Sequence, residues 1–245
     1  MLKETFSIIR HNVALYVTYV LLLFGVQIAD EYLKGSSSNV ASTFLLCFLS
    51  LSVQKSILWN LDFKAAAKVG GLPLVGFFFK SIALFLIALL IMLPFLYLLL
   101  RGNDLSAFNL WSIFAGMLIF SAIFSVVMAL FGTWLPAGVR GINSGIGDAF
   151  QRGKVRFLAM YGRVLAGITI PVLVAMVAVV VSAVFTAPDL MTNGRPNIGL
   201  AVIMLISNSF QVVGWTYISV VLTRRYMEAD QIEPPSAVEG LSATV

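Results

Sequence analysis

Four cations between the fourth and fifth apolar stretches carry the clearest chemistry in the chain: Arg152, Lys154, Arg156 and Arg163. On a helix opened by Asp148, Arg152, Arg156 and Arg163 fall near one face at i, i+4 and i+11. Phe150, Phe157 and Tyr161 fall near another, and Lys154 lies closer to the aromatic side, from which it reaches water by its stem. Guanidinium and ammonium groups gathered on an interfacial helix are the chemistry of an anionic head group or phosphate site. Each juxtamembrane cation gains on the order of 1 kcal/mol from an anionic leaflet. The same four charges also serve to orient a chain and anchor an interfacial helix, so both readings stand.

A second set is polar rather than charged. Asn208, Gln211 and Trp215 lie along one stripe at i, i+3 and i+7 inside a long apolar stretch. Amides in hydrocarbon need partners, so this stripe is either interhelical hydrogen bonding or the polar lining of a groove for a substrate or lipid. His11 is the only histidine and Cys47 the only cysteine, and Cys47 sits among Phe44, Leu45, Leu46, Phe48 and Leu49 as a small apolar residue. Asn143-Ser144-Gly145 reads as a glycine-rich turn rather than a nucleophile. The sequence has no phosphate-loop motif and no paired metal-ligand motif, and its acids are scattered. No cofactor is implied, and no residue nominates an enzyme.

The elements that position these residues follow from composition. Of 245 residues, 60% are hydrophobic and 11% charged, with a mean hydropathy of +0.97. An ordinary soluble domain carries roughly 25% charged residues. That excess of apolar surface excludes a water-soluble globular enzyme, a disordered chain and a nucleic-acid binder. Six stretches are long enough to cross the hydrocarbon core: Val13–Ala29, Val40–Leu61, Phe77–Leu100, Trp111–Leu135, Val164–Phe185 and Ile198–Leu222. The expected fold is therefore all-α, a polytopic transmembrane bundle of six spans over residues 1–225. Residues 226–245, with Glu228, Asp230, Glu233 and Glu239 and the pair Pro234-Pro235, read as a flexible, solvated tail.

The connections alternate in charge. Three of them carry Lys34, Arg101 and Arg195 and are rich in turn residues. The opposite face carries Lys3, Arg10, Lys64, Lys68, Arg140, Arg152, Lys154, Arg156, Arg163, Arg224 and Arg225, with Lys55 and Lys80 close enough to snorkel to it. The bias is 13 to 3 of the 16 basic residues, which places both termini in the cytoplasm. Three basic amphipathic entries lie on that face: residues 3–10, residues 63–68 behind Asp62, and the segment around Arg152. In the spans, Ser121, Ser125 and Ala129, and separately Ala175, Val179 and Ala183, recur at the four-residue step that lets helix backbones approach.

The run Asp148-Ala149-Phe150-Gln151-Arg152-Gly153-Lys154-Val155-Arg156-Phe157, with Tyr217 and Arg224-Arg225-Tyr226 at the end of the sixth span, resembles a pattern in YciC-type bacterial inner-membrane proteins. It is also similar to the membrane domain of some glycerophosphodiester phosphodiesterases. The resemblance implies a helical bundle of the bacterial cytoplasmic membrane and no known reaction, and it transfers no catalytic residue. The expected function is a non-enzymatic membrane scaffold, assembly or envelope-homeostasis factor with a basic, lipid-facing cytoplasmic interface. The alternative is a small transporter or lipid-handling protein using the Asn208/Gln211 groove. The partners implied are membrane lipids, anionic head groups first, then a membrane-protein partner or a homo-oligomer.

Overall fold

The computed structural model describes residues 1–33, 38–68, 73–100, 110–142, 144–185, 190–192 and 195–233. Six of its helices are long and apolar enough to cross a membrane: α2 (Val13–Leu33), α3 (Ser38–Trp59), α5 (Leu74–Leu100), α6 (Leu110–Phe131), α9 (Phe157–Phe185) and α10 (Ile198–Ala229). The short helices α1 (Leu2–His11), α4 (Phe63–Lys68), α7 (Trp134–Val139) and α8 (Ile146–Lys154) lie between or before them. A small ribbon pairs β1 (Met191–Thr192) antiparallel with β2 (Arg195–Pro196). The Leu190 amide, at the edge of this ribbon, donates to the Glu31 carboxylate at the end of α2 at 2.8 Å. The six-span, all-α bundle expected from hydropathy is thus what the chain forms.

Helix α10 is the central post. It packs against α9, α3 and α2, and its second half, from Thr216 to Met227, is almost wholly buried. Such a post needs small and polar residues that pair sideways, and the sequence supplies them. Thr216 donates to the Tyr16 hydroxyl at 3.1 Å, and the Ser50 and Ser219 hydroxyls meet at 2.6 Å. Higher up, Asn208 and Gln27 exchange two hydrogen bonds, at 3.0 and 3.2 Å. In hydrocarbon these links specify which helices meet, because an unmade bond there has no water to fall back on.

Glycine sets the closest approach. Helices α9 and α10 cross where a Cβ on Gly214 would stand 2.6 Å from the Gly167 carbonyl oxygen and 2.5 Å from Pro171 Cγ. The expected small-residue seam at Ser121, Ser125 and Ala129 is buried in α6. The one at Ala175, Val179 and Ala183 is not a seam: Val179 is 48% exposed and Ala183 faces outward as well. The four-residue step tells that a face is smooth, and it cannot tell whether a neighbour is present.

Two further expectations change. Helix α10 runs on through Tyr226–Ala229, past the boundary at residue 225 where the tail was expected to start, and Tyr226 and Met227 are buried. Those residues pack under α7 and α8 rather than trailing in water; residues 234–245 of the expected tail lie outside the described residues. Lys55 is 1% exposed, so it does not snorkel to a surface; its ammonium stands 6.0 Å from the Trp59 ring centre.

Candidate functional site

Residues 1–11 and 224–233 meet at one end of the bundle, where the Arg224 guanidinium donates to the Glu4 carboxylate at 2.8 Å. The same end collects α4, α7 and α8. Helix α4 starts as its sequence dictates: Asp62 Oδ1 accepts from the Ala65 amide at 2.7 Å, Phe63 and Ala66 turn inward, and Lys64 and Lys68 stay exposed.

The segment after α6 does not form one amphipathic helix. It folds as α7, a turn through Gly141 at φ +78°, then α8, and α9 begins only at Phe157. Glycine at 141 is what permits that positive φ without a Cβ clash. The Trp134 indole N–H ties the turn down by donating to the Ser144 carbonyl at 2.9 Å. Lys80 crosses α7 with its ammonium 5.1 Å from the Trp134 ring centre, in space that a Cβ on Gly138 would take.

Asp148 was expected to open its helix. In the structure it sits one turn inside α8 and reaches back, its carboxylate accepting from the Gly145 amide at 2.8 Å. Ala149 and Gly153 face the protein. A Cβ on Gly153 would stand 2.3 Å from the Leu130 carbonyl oxygen, so α8 lies directly on the last turn of α6. Its partner at this end is protein as much as membrane.

The four predicted cations therefore separate. Arg152 Nε donates to Asp230 Oδ1 at 2.7 Å, its guanidinium stands 5.2 Å from the Tyr226 ring centre, and Arg225 donates to its main-chain carbonyl at 2.7 Å. Arg156 Nη1 pairs with Glu228 Oε2 at 3.4 Å, and Arg225 approaches the same carboxylate at 3.8 Å. Glu228 and Asp230, expected to be solvated tail acids, are instead the counter-ions that fasten α8 to α10. The Arg152–Asp230 pair is mostly covered and carries more of this fastening than the exposed Arg156–Glu228 pair, which water screens. The signal for it was in the sequence as an acidic cluster after Arg224-Arg225, but helical phase and chain crossing were needed to aim it.

Lys154 and Arg163 are exposed and take part in no ion pair among the described residues. Arg163 points along α1, with Nη1 3.3 Å from Met1 Sδ. One turn further along α9, helices α1, α9 and α10 line an open apolar cleft of about 240 Å³, with Phe6, Gly167, Ile170, Phe210, Gly214 and Tyr217 in its lining; Arg163 is not part of that lining. Asn208 and Gln211 are not among its lining residues. Asn208 is 2% exposed and bonded to Gln27, while Gln211 is half-buried.

His11 Nδ1 lies 2.7 Å from the Ser7 carbonyl oxygen, which only accepts, so Nδ1 carries the proton and does not act as a base toward the Ser7 hydroxyl 3.5 Å away. Among the described residues, no group of three His, Cys, Asp or Glu side chains converges to hold a metal ion.

No protein-family model matches this chain, and no curated protein or solved structure matches it either. The fold itself defines the class: an integral, multi-pass membrane protein built on six apolar helices.

Proposed function

We propose that this chain is a non-enzymatic scaffold or assembly factor of a bacterial cytoplasmic membrane, serving envelope homeostasis, with its basic end in the cytoplasm against anionic lipid. The carrying observation is how charge is divided at that end. The carboxylates of Glu4, Glu228 and Asp230 are spent on Arg224, Arg156 and Arg152, fastening α1 and α8 to α10. Lys64, Lys68, Lys154 and Arg163 remain exposed and outside any ion pair among the described residues. A rigid platform with outward cations attracts an anionic surface, at ~1 kcal/mol per cation near it. The positive-inside bias supports the orientation.

The test uses the full chain in nanodiscs holding phosphatidylglycerol and phosphatidylcholine in equal parts. Native mass spectrometry then counts the lipids each protein retains. The triple variant Lys64→Gln, Lys68→Gln, Lys154→Gln is expected to lose its preference for phosphatidylglycerol. Retention equal to that of the unaltered chain removes the lipid-facing interface from the reading.

A further inference from the structure

The apolar cleft between α1, α9 and α10 is not filled by a side chain, and an unneutralised cation, Arg163, stands one turn before it on α9. Helices normally close such a gap with a side chain. Here Ala166 is too small to close it, while Gly167 and Gly214 are fixed by the helix crossing, where a Cβ on either would strike the neighbouring helix. Helix α1 forms the third wall. It is held there by Glu4 on Arg224 and by buried Thr5, and it contributes Leu2, Thr5 and Phe6 to the lining, Phe6 being 56% exposed.

Arg163 does not line the cleft; it stands one turn before Ala166 and Gly167 on α9, at i, i+3 and i+4, and its Nη1 is 3.3 Å from the sulfur of Met1, the chain neighbour of the lining residue Leu2. Its one described contact is the Met1 thioether, a weak acceptor that satisfies little of a guanidinium's five-donor capacity. Lys3 and Arg10 flank Phe6 on α1, exposed and likewise outside any ion pair among the described residues. An apolar slot with unneutralised cations beside its lining, on α1 and at the start of α9, is complementary to a molecule with an apolar chain and an anionic head.

We propose that this cleft is a binding site for one anionic phospholipid of the leaflet on the basic side. One acyl chain lies against Gly167, Ile170, Phe210 and Gly214, and the phosphate sits on Arg163. The guanidinium fork pairs with phosphate oxygens in the geometry that favours arginine over lysine at such sites. Bound lipid bridges α1 to the α9–α10 crossing, adding to the Glu4–Arg224 link. The proposal rests on the lipid-facing reading of this end, but the triple variant used to test that reading leaves Arg163 and the cleft intact. Loss of general phosphatidylglycerol preference and loss of this site are therefore separate results.

The experiment uses phosphatidylglycerol carrying a photoactivatable diazirine midway along one acyl chain, in nanodiscs with the full chain, with cross-links mapped by peptide mass spectrometry. Cross-links are expected to concentrate on residues 166–171 and 210–217. Arg163→Gln, a surface change, is expected to lower them about fivefold, which corresponds to the ~1 kcal/mol of one juxtamembrane cation. Ala166→Trp, which fills the cleft from its open wall, is expected to abolish them. Ile170→Trp serves as a second filling variant, and a melting curve for each shows that the fold is kept. A phosphatidylcholine probe of the same design is expected to label the site less.

Three results overturn the proposal. Cross-links spread over the exposed faces of α5 and α6 in proportion to their area mean ordinary boundary lipid. Labelling that Arg163→Gln leaves unchanged removes the phosphate contact. Cross-links absent from the cleft, with two copies of the chain joined through α9 or α10, assign it to self-association.

Discussion

The exchange of hydrogen bonds between Gln27 and Asn208 separates packing from a transport path, and its worth can be worked out. The two amides close a ring of two bonds, 3.0 and 3.2 Å long, between α2 and α10, with Asn208 only 2% exposed. Interhelical hydrogen bonds in membranes average ~0.6 kcal/mol and reach ~1.7 kcal/mol, so the pair has a coupling energy of about 1–2 kcal/mol. Gln27→Leu alone, or Asn208→Leu alone, removes both bonds and strands one amide among helices, at a cost of about 1–3 kcal/mol. Making both changes removes the stranded group as well and leaves two leucines suited to hydrocarbon. The double variant is therefore expected to be less destabilised than the sum of the singles by about 1–2 kcal/mol. The assay is equilibrium unfolding in mixed micelles followed by tryptophan fluorescence, for the four members of the cycle. Additivity within ~0.5 kcal/mol refutes the reasoning, because groups that do not interact add. A double variant that keeps full stability but fails to complement a null strain moves these amides from packing to a pathway.

Three further outcomes follow from the same geometry. Gly153→Ala places a Cβ 2.3 Å from the Leu130 carbonyl oxygen, which is backbone and yields little, so a loss of about 1–3 kcal/mol is expected. Gly162→Ala, where a Cβ meets nothing within 4 Å, should be neutral or gain up to ~1 kcal/mol of helix propensity, and thermal melts of the two compare them directly. Asp230→Asn should loosen α8, seen as faster hydrogen exchange over residues 146–154, while Glu228→Gln, on the exposed pair, should change it less. In a Cys47→Ser background, Lys64→Cys is expected to react with a membrane-impermeant maleimide only when the cytoplasmic side is open; labelling from outside intact cells reverses the proposed orientation.

Hydropathy and length determined the six spans on their own, because the bilayer sets one requirement, about 20 apolar residues per crossing, that each segment meets alone. The short helix behind Asp62 was legible for the same reason: its cap bond and its alternation of Phe63 and Ala66 with Lys64 and Lys68 are local. That basic residues gather at the ends of the apolar stretches was legible too. What each cation does was not. Arg152 and Arg156 look equivalent to Arg163 in the sequence, but carboxylates more than 70 residues away neutralise the first two and leave the third outside any ion pair among the described residues. The break at residues 155–156 moved Arg163 onto a different helix, and no periodicity signals where a helix stops when both of its sides are apolar enough to continue. Likewise Asn208 announced a need for a partner, and only the crossing of α2 over α10 identified it as Gln27. Span length and a local cap such as that of Asp62 on α4 are properties of one segment and are written in it. Pairing, cleft and closest approach are properties of two or three segments at once, and tertiary structure alone decided them.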